Sequence, residues 1–289
     1  MENNAVCWID GEIKPASEAK VSVYDHGLLY GDGIFEGMRF YNKKAFRMET
    51  HLKRLHDSAR VLRISLPMSL TDISLAIEET ISAYDGLNGY IRLVVTRGVG
   101  SLGINPVSCL KSTLLIIADA LDMLNEETRK RGATLIVSST RRLSADGLDP
   151  RVKSLNYLNH IMAKMEANYA GADEALLLNV QGRLAEGSAD NVFIVKDGVL
   201  STPPVTEGAL DGVTRNIVLG LAEDLGIKAQ VKPLSPFDVY TADECFLTGT
   251  AAELITVATL DGRSVGQVNG EYFCQFNAAY KALIAKECE

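Results

Sequence analysis

Along the first part of the chain the spacing of apolar positions shifts from strand-like to helical and back. Apolar residues in 5–9, the turn pair Asp10-Gly11 and Glu12-Ile13 predict a β-hairpin. The aromatic and β-branched stretch 33–41 predicts a strand. Over 49–63 the period is helical, with Leu52, Leu55, Ala59 and Leu62 on one face. A second helix is predicted over 71–84, ended by Tyr84-Asp85-Gly86, and strands follow over 90–96 and 113–118.

Residues 122–132 (DMLNEETRKRG) are charged and poor in apolar positions, as a linker would be, and a fresh strand is predicted over 134–139. Beyond it the pattern predicts a helix over 154–170, a strand over 174–179 and a hairpin, 191–196 with 199–201, around Asp197-Gly198. A helix over 213–225 would carry Ile217, Leu221 and Leu225 on its apolar face. Strands over 244–248 and 254–259 and a helix over 271–286 close the chain, which has no internal repeat. The expected organisation is α+β in two domains, 1–118 and 132–289, joined by a linker over 119–131.

Composition narrows the class of protein. With 289 residues, 47% of them apolar, the chain has enough core to fold without disulfide or metal staples. The 29 basic and 37 acidic side chains give a net charge of −8, which argues against nucleic acid as a partner but leaves room for small anions. No apolar run reaches the roughly 18–20 residues of a membrane span, and the N-terminus does not read as a signal peptide. Cys7, Cys109, Cys245, Cys274 and Cys288 are scattered without C-x-x-C spacing. They read as reduced thiols of a cytoplasmic protein, with no metal site. His51 and His56 are five apart, so a helix would not stack them, and no H-E-x-x-H occurs.

Several segments carry candidate chemistry. Gly98-Val-Gly100-Ser-Leu-Gly103 matches a dinucleotide fingerprint, but Ile104-Asn105-Pro106 follows where a helix would have to open. It reads as a loop between strands. Two other turns suit an anion better: Asp211-Gly212-Val213-Thr214-Arg215 at a helix start, and Thr248-Gly249-Thr250-Ala251-Ala252-Glu253 after a strand. Ordinary helix capping would explain either one. Lys153, in Arg151-Val-Lys153-Ser-Leu-Asn-Tyr157, has apolar and amide neighbours, and a desolvated lysine is a nucleophile. On spacing alone, an exposed lysine at a helix start fits better. Glu186-Gly-Ser-Ala-Asp-Asn191 sets a carboxylate at a strand end, either edge-on to a planar ligand or within a turn.

Taken in order, Tyr30-Gly-Asp-Gly-Ile-Phe35-Glu-Gly37-Met-Arg39, His51-Leu-Lys-Arg54-Leu, Tyr90-Ile-Arg92, Lys153-Ser-Leu-Asn-Tyr157, Glu186-Gly-Ser, Gly212-Val-Thr214 and Thr248-Gly-Thr250-Ala-Ala-Glu form a specific set. The set resembles the class IV, or fold-type IV, pyridoxal-phosphate aminotransferases, and most closely the branched-chain amino acid aminotransferases, over about residues 5–280. The resemblance implies a small N-terminal α/β domain and a larger C-terminal mixed α/β barrel-like domain, with pyridoxal 5'-phosphate in the cleft between them. It implies that Lys153 forms the Schiff base with the cofactor and then carries the proton between Cα and C4′. Glu186 would face the pyridine nitrogen and Tyr157 the phenolate oxygen, while Arg54, Val213, Thr214 and Thr250 would hold the phosphate.

For the substrate, the resemblance implies an apolar pocket of Tyr30, Phe35 and Tyr157, with Ile104 added by a neighbouring subunit. Tyr90 and the Thr250-Ala251 backbone would meet the α-carboxylate, Arg92 would read the distal carboxylate of glutamate, and Arg39 would organise the pocket. The implied activity is ping-pong amino transfer between leucine, isoleucine or valine and 2-oxoglutarate, by a homodimer or larger homo-oligomer. Ala189 stands where many members carry glycine. A D-amino acid enzyme would carry an Arg-x-His pair in the 98–106 loop, which has neither residue. Aminodeoxychorismate lyase shares the lysine and glutamate and is the nearer rival, with an amine transaminase and a non-enzymatic scaffold as further alternatives. Tyr90-Ile-Arg92 and Phe35-Glu-Gly37-Met-Arg39 favour the transaminase.

Overall fold

The computed structural model describes residues 4–121 and 126–289, so positions 122–125 of the expected linker lie outside the described residues. The chain divides into two compact units. The first takes the chain up to Leu121, together with Val152–Asn156 and Ile284–Glu289; the second takes the remainder.

The first unit comprises β1 (Val6–Ile9), β2 (Glu12–Pro15), α1 (His26–Tyr30), β3 (Gly33–Tyr41), β4 (Lys44–Ala45), α2 (Met48–Leu62), α3 (Leu70–Ala83), β5 (Gly89–Thr96) and β6 (Thr113–Asp119). Its six strands form one antiparallel sheet in the order β2-β1-β6-β5-β3-β4. Strand side chains alternate between faces. Ile34, Met38 and Phe40 of β3, with Ile91, Leu93 and Val95 of β5, therefore share the face that packs on Leu52, Leu55 and Ala59 of α2 and Ile73, Ile77 and Ile81 of α3. Burying each such side chain contributes about 1.5–3 kcal/mol. Ser69 caps α3 by accepting from the Asp72 N–H at 3.2 Å. The opposite face of β3 and β5 is left to Phe35, Gly37, Arg39, Tyr90 and Arg92.

The second unit comprises α4 (Glu126–Arg131), β7 (Ala133–Arg141), α5 (Leu158–Tyr169), β8 (Glu174–Leu178), β9 (Leu184–Gly187), β10 (Asn191–Lys196), β11 (Val199–Thr202), α6 (Val213–Asp224), β12 (Ala229–Val231), α7 (Pro236–Tyr240), β13 (Glu244–Gly249), β14 (Glu253–Leu260), β15 (Arg263–Ser264) and α8 (Glu271–Cys288), whose last residues belong to the first unit. Its sheet runs β12-β11-β10-β13-β14-β7-β8-β9, with β15 beside β14. Parallel pairs (β14 with β7, β7 with β8, β11 with β12) mix with antiparallel ones. The edge strand β9 curls round to pack against β10, which gives the sheet a half-barrel form. Ala163 and Ala167 let α5 lie close against the sheet at Ala175 and Leu177.

Four differences from the sequence reading have local causes. The helix expected from 154 begins at Leu158, because Ser154 bridges Ile34 and the Leu155 N–H donates to the Gly33 carbonyl. These bonds, and Val152 in the core of α2 and β3, place Lys153 with the first unit rather than the C-terminal domain. Residues 126–131 of the expected linker form α4. Leu225 is the exposed cap of α6; the buried face of that helix runs through Thr214, Val218, Leu221 and Ala222.

Candidate active site

In the first unit, Lys153 is presented by an extended segment laid along the start of β3. Its carbonyl accepts from the Phe35 N–H at 3.0 Å, and its own N–H donates to Ser58 Oγ on α2 at 3.3 Å. Lys153 Nζ lies 4.5 Å from the Phe35 ring centroid, and the Arg92 guanidinium carbon lies 4.6 Å from the same centroid. Burial lowers the Lys153 pKa to about 8; the Arg54 and Arg92 charges act in the same direction, and Glu36 and Tyr90 oppose them.

Arg54 is fixed by Glu36, which is completely buried on the helix-facing side of β3. Arg54 Nε donates to Glu36 Oε1 and Nη2 to Oε2, each at 2.8 Å. His51, three residues earlier on the same face of α2, places Nδ1 2.7 Å from Oε2. A carboxylate only accepts, so Nδ1 carries the proton. Burial would raise the Glu36 pKa, but the charge and hydrogen bonds of Arg54, and those of His51, hold it well below the usual carboxylate range. Burial, with the Arg54 and Lys153 charges, lowers that of His51 despite Glu36, so the imidazole is neutral.

Register places Gly37 opposite Arg92 and Arg39 opposite Tyr90, so Phe35, Arg39, Tyr90 and Arg92 share one sheet face. Gly37 makes room for Tyr90: a Cβ there would lie 1.8 Å from the Tyr90 hydroxyl, so that side chain would have to move. Tyr30 ends α1, and its hydroxyl accepts from the Gly103 N–H at 2.7 Å. Ile104, the next residue, is 84% exposed. The G-x-G-x-x-G segment joins the antiparallel strands β5 and β6, with no helix after it beyond a single turn at Pro106–Ser108.

In the second unit, Glu186 at the end of β9 is buried. Its Oε2 accepts from the Leu210 N–H at 2.8 Å; Arg142 Nε and His160 Nε2 lie 3.1 and 3.4 Å from Oε1. Arg142 is in turn held by the Gly208 carbonyl and Asn159 Oδ1. Tyr157, just before α5, stacks on His160 at 4.4 Å, and the buried His160 Nδ1 has no partner. The N-terminus of α6 starts at Gly212 without a side-chain cap, followed by buried Val213 and Thr214. Asn191 Oδ1 would lie 2.0 Å from a Cβ on Gly212, and Asn191 pairs across the sheet with Thr248, whose buried Oγ1 also lacks a partner. Thr250 and Ala251 lie in the tight turn between β13 and β14.

Each unit carries groups that suit pyridoxal phosphate: in the first a desolvated amine, and in the second a buried carboxylate and an uncapped helix start with a spare hydroxyl. The sequence reading missed Glu36, His51, Arg142, His160 and Asn191 as parts of this machinery. Glu36 had a signal, a charge among the inward positions Ile34, Met38 and Phe40.

The class IV amino-transferase profile matches residues 33–260, and the chain belongs to that family. A Methanocaldococcus jannaschii chain, named as a provisional branched-chain-amino-acid aminotransferase, is 49% identical over 96% of each chain. The crystal structure of the Escherichia coli branched-chain amino acid aminotransferase superposes with a TM-score of 0.94, at 35% identity over 98% of this chain and 96% of that one. The Thermobaculum terrenum enzyme of that name, solved in its PLP-form, gives 0.89 at 29% identity, over 99% and 96%. The chain therefore has the fold-type IV architecture and is an aminotransferase.

Proposed function

We propose that this protein is a pyridoxal-phosphate-dependent transaminase that moves the amino group between leucine, isoleucine or valine and 2-oxoglutarate. The observation that carries the reading is Lys153, an amine with its pKa lowered to about 8 and its backbone locked to β3. At neutral pH roughly a tenth of such an amine is unprotonated, some three-hundredfold more than for an ordinary lysine.

Pyridoxal phosphate, when bound, supplies an aldehyde and an electron-accepting ring. Lys153 would hold that group through its amine and, when free, would take up and give back a proton at Nζ. Glu186, oriented by Arg142, His160 and the Leu210 N–H, would face the ring nitrogen and favour its protonated form. Tyr157 would offer its hydroxyl to the ring's phenolate oxygen. Arg54, the Val213 and Thr214 N–H groups and Thr250 hold the phosphate.

Phe35, Tyr30 and Tyr157 offer apolar surface to an aliphatic side chain, and Arg92 offers a cation to the distal carboxylate of glutamate. Tyr90 and the Thr250-Ala251 backbone bind the α-carboxylate, and Arg39 orders the pocket.

The assembly we propose is a homodimer or a larger homo-oligomer. Leu28 of α1 and Leu102, Ile104, Val107 and Leu110 of the loop between β5 and β6 are exposed large apolar residues, which a second copy would cover. Ile104 would then reach the pocket of the second copy. All five cysteines are free thiols, which suits the cytoplasm, and no described helix is long and apolar enough to cross a membrane.

A panel of amino donors against 2-oxoglutarate, with D-alanine and a chiral amine included, tests the reading. Transfer from leucine, isoleucine and valine is expected. Transfer confined to D-alanine or the amine would overturn it, as would release of pyruvate from aminodeoxychorismate without amino transfer.

A further inference from the structure

Glu36 sits in a strand whose other helix-facing residues are apolar, and none of its surface is exposed. A buried ion pair adds little stability over apolar side chains of the same volume, because desolvation offsets most of the Coulomb gain. The geometry around Glu36 is nevertheless specific. Its two oxygens take three donors at 2.7–2.8 Å, two of them from one edge of the Arg54 guanidinium. A free arginine side chain samples many rotamers. Held side-on by a carboxylate, it has already surrendered that freedom before any anion arrives.

We propose that Glu36 is a positioning residue for the cofactor's phosphate group: it fixes the Nε–Nη2 edge of Arg54, with His51 holding the carboxylate in turn, so that the guanidinium is preoriented. This rests on the reading that Arg54 binds the phosphate. His51 suits the task because, as a neutral donor, it anchors the carboxylate without adding a second cation. Ser58, one further turn along α2, accepts from the Lys153 N–H, so one helix face carries the residues that orient Arg54 and steady Lys153. Glu36 touches neither phosphate nor substrate in this scheme and acts only through Arg54.

The test uses the full-length protein stripped of cofactor and compares its dissociation constants for pyridoxal phosphate and for pyridoxal, which lacks the phosphate. Glu36→Gln keeps the shape but turns an amide N–H towards a donor. We expect pyridoxal phosphate to bind at least about tenfold more weakly to this variant, with pyridoxal changed by less than about twofold. In an Arg54→Met background, Glu36→Gln should have no further effect on either ligand. Equal weakening of both ligands would assign Glu36 to packing α2 and overturn the proposal. So would a full loss that persists in the Arg54→Met background. Should Glu36→Gln fail to fold, Glu36→Asp withdraws the carboxylate by one methylene and must show the same selective loss; undiminished phosphate preference would overturn the proposal. If the unmodified protein shows no preference for the phosphorylated ligand, the phosphate role of Arg54 itself fails, a different outcome from any of these.

Discussion

The Nζ of Lys153 and the ring of Phe35 stand 4.5 Å apart, joined also by a hydrogen bond from the Phe35 N–H to the Lys153 carbonyl. The aromatic face shelters the amine from water, and Arg54 and Arg92 add repulsion. The protein therefore holds a proton on Lys153 less readily than the unfolded chain does. That cost is fully present below pH 8, shrinks as pH rises from about 8 towards the ordinary lysine value, and vanishes above it. Lys153→Met should consequently stabilise the cofactor-free protein at pH 7 and lose that gain by pH 10.5. Denaturant midpoints at the two pH values check this; a gain of equal size at both would be an effect of packing alone.

Arg92 lies with Phe35 on the sheet face opposite the core, so its removal should leave the fold intact. Arg92→Met is expected to lower kcat/KM for glutamate by roughly a hundredfold while changing that for leucine by less than about threefold, since only glutamate brings a second carboxylate. Steady-state kinetics with both donors decide it. A parallel fall for both would place Arg92 in supporting Phe35 rather than in reading the substrate.

Arg142 and Glu186 form a buried pair. Removing one partner strands the other charge, so Arg142→Met should destabilise the protein by about 3–5 kcal/mol. Chemical denaturation of the cofactor-free protein measures this directly. A loss below about 1 kcal/mol would mean that His160 and the Leu210 N–H suffice to hold the carboxylate.

How far these groups were legible in the sequence depends on the range of the interactions that define them. Strand β3 and helices α2 and α3 were readable, because alternation and three-to-four spacing are local. The sharing of one sheet face by Phe35, Arg39, Tyr90 and Arg92 follows once β3 and β5 pair. Lys153 was noticeable from its neighbours, but its attachment to β3 rests on bonds across more than a hundred residues. Arg142 gave no signal: it is the second of two adjacent arginines, and what holds it inward, a backbone bond to Leu178 and side-chain bonds to Gly208, Asn159 and Glu186, comes from residues distant in sequence. Leu225 misled, since the helix ends where it would have turned to the core. Strand β9, four residues long, was too short for a periodic signal.

The exposed apolar residues of α1 and of the loop between β5 and β6 give a prediction about assembly. Leu102→Asp with Leu110→Asp, at positions 71% and 94% exposed, places two charges on the proposed interface without touching the core. Sedimentation should show a dimer or larger oligomer for the unmodified protein and a monomer for the double variant. A monomeric unmodified protein would remove the proposed contribution of Ile104 to a second copy.

The central claim is that Lys153 is the amine that takes the cofactor. Loading the protein with pyridoxal phosphate, reducing it with borohydride and mapping the labelled peptides tests this most directly. The account predicts visible absorbance on loading and a single phosphopyridoxyl label, on the peptide containing Lys153, both absent in Lys153→Ala. Stable labelling of a different lysine, or a protein that stays colourless and unlabelled, would contradict it.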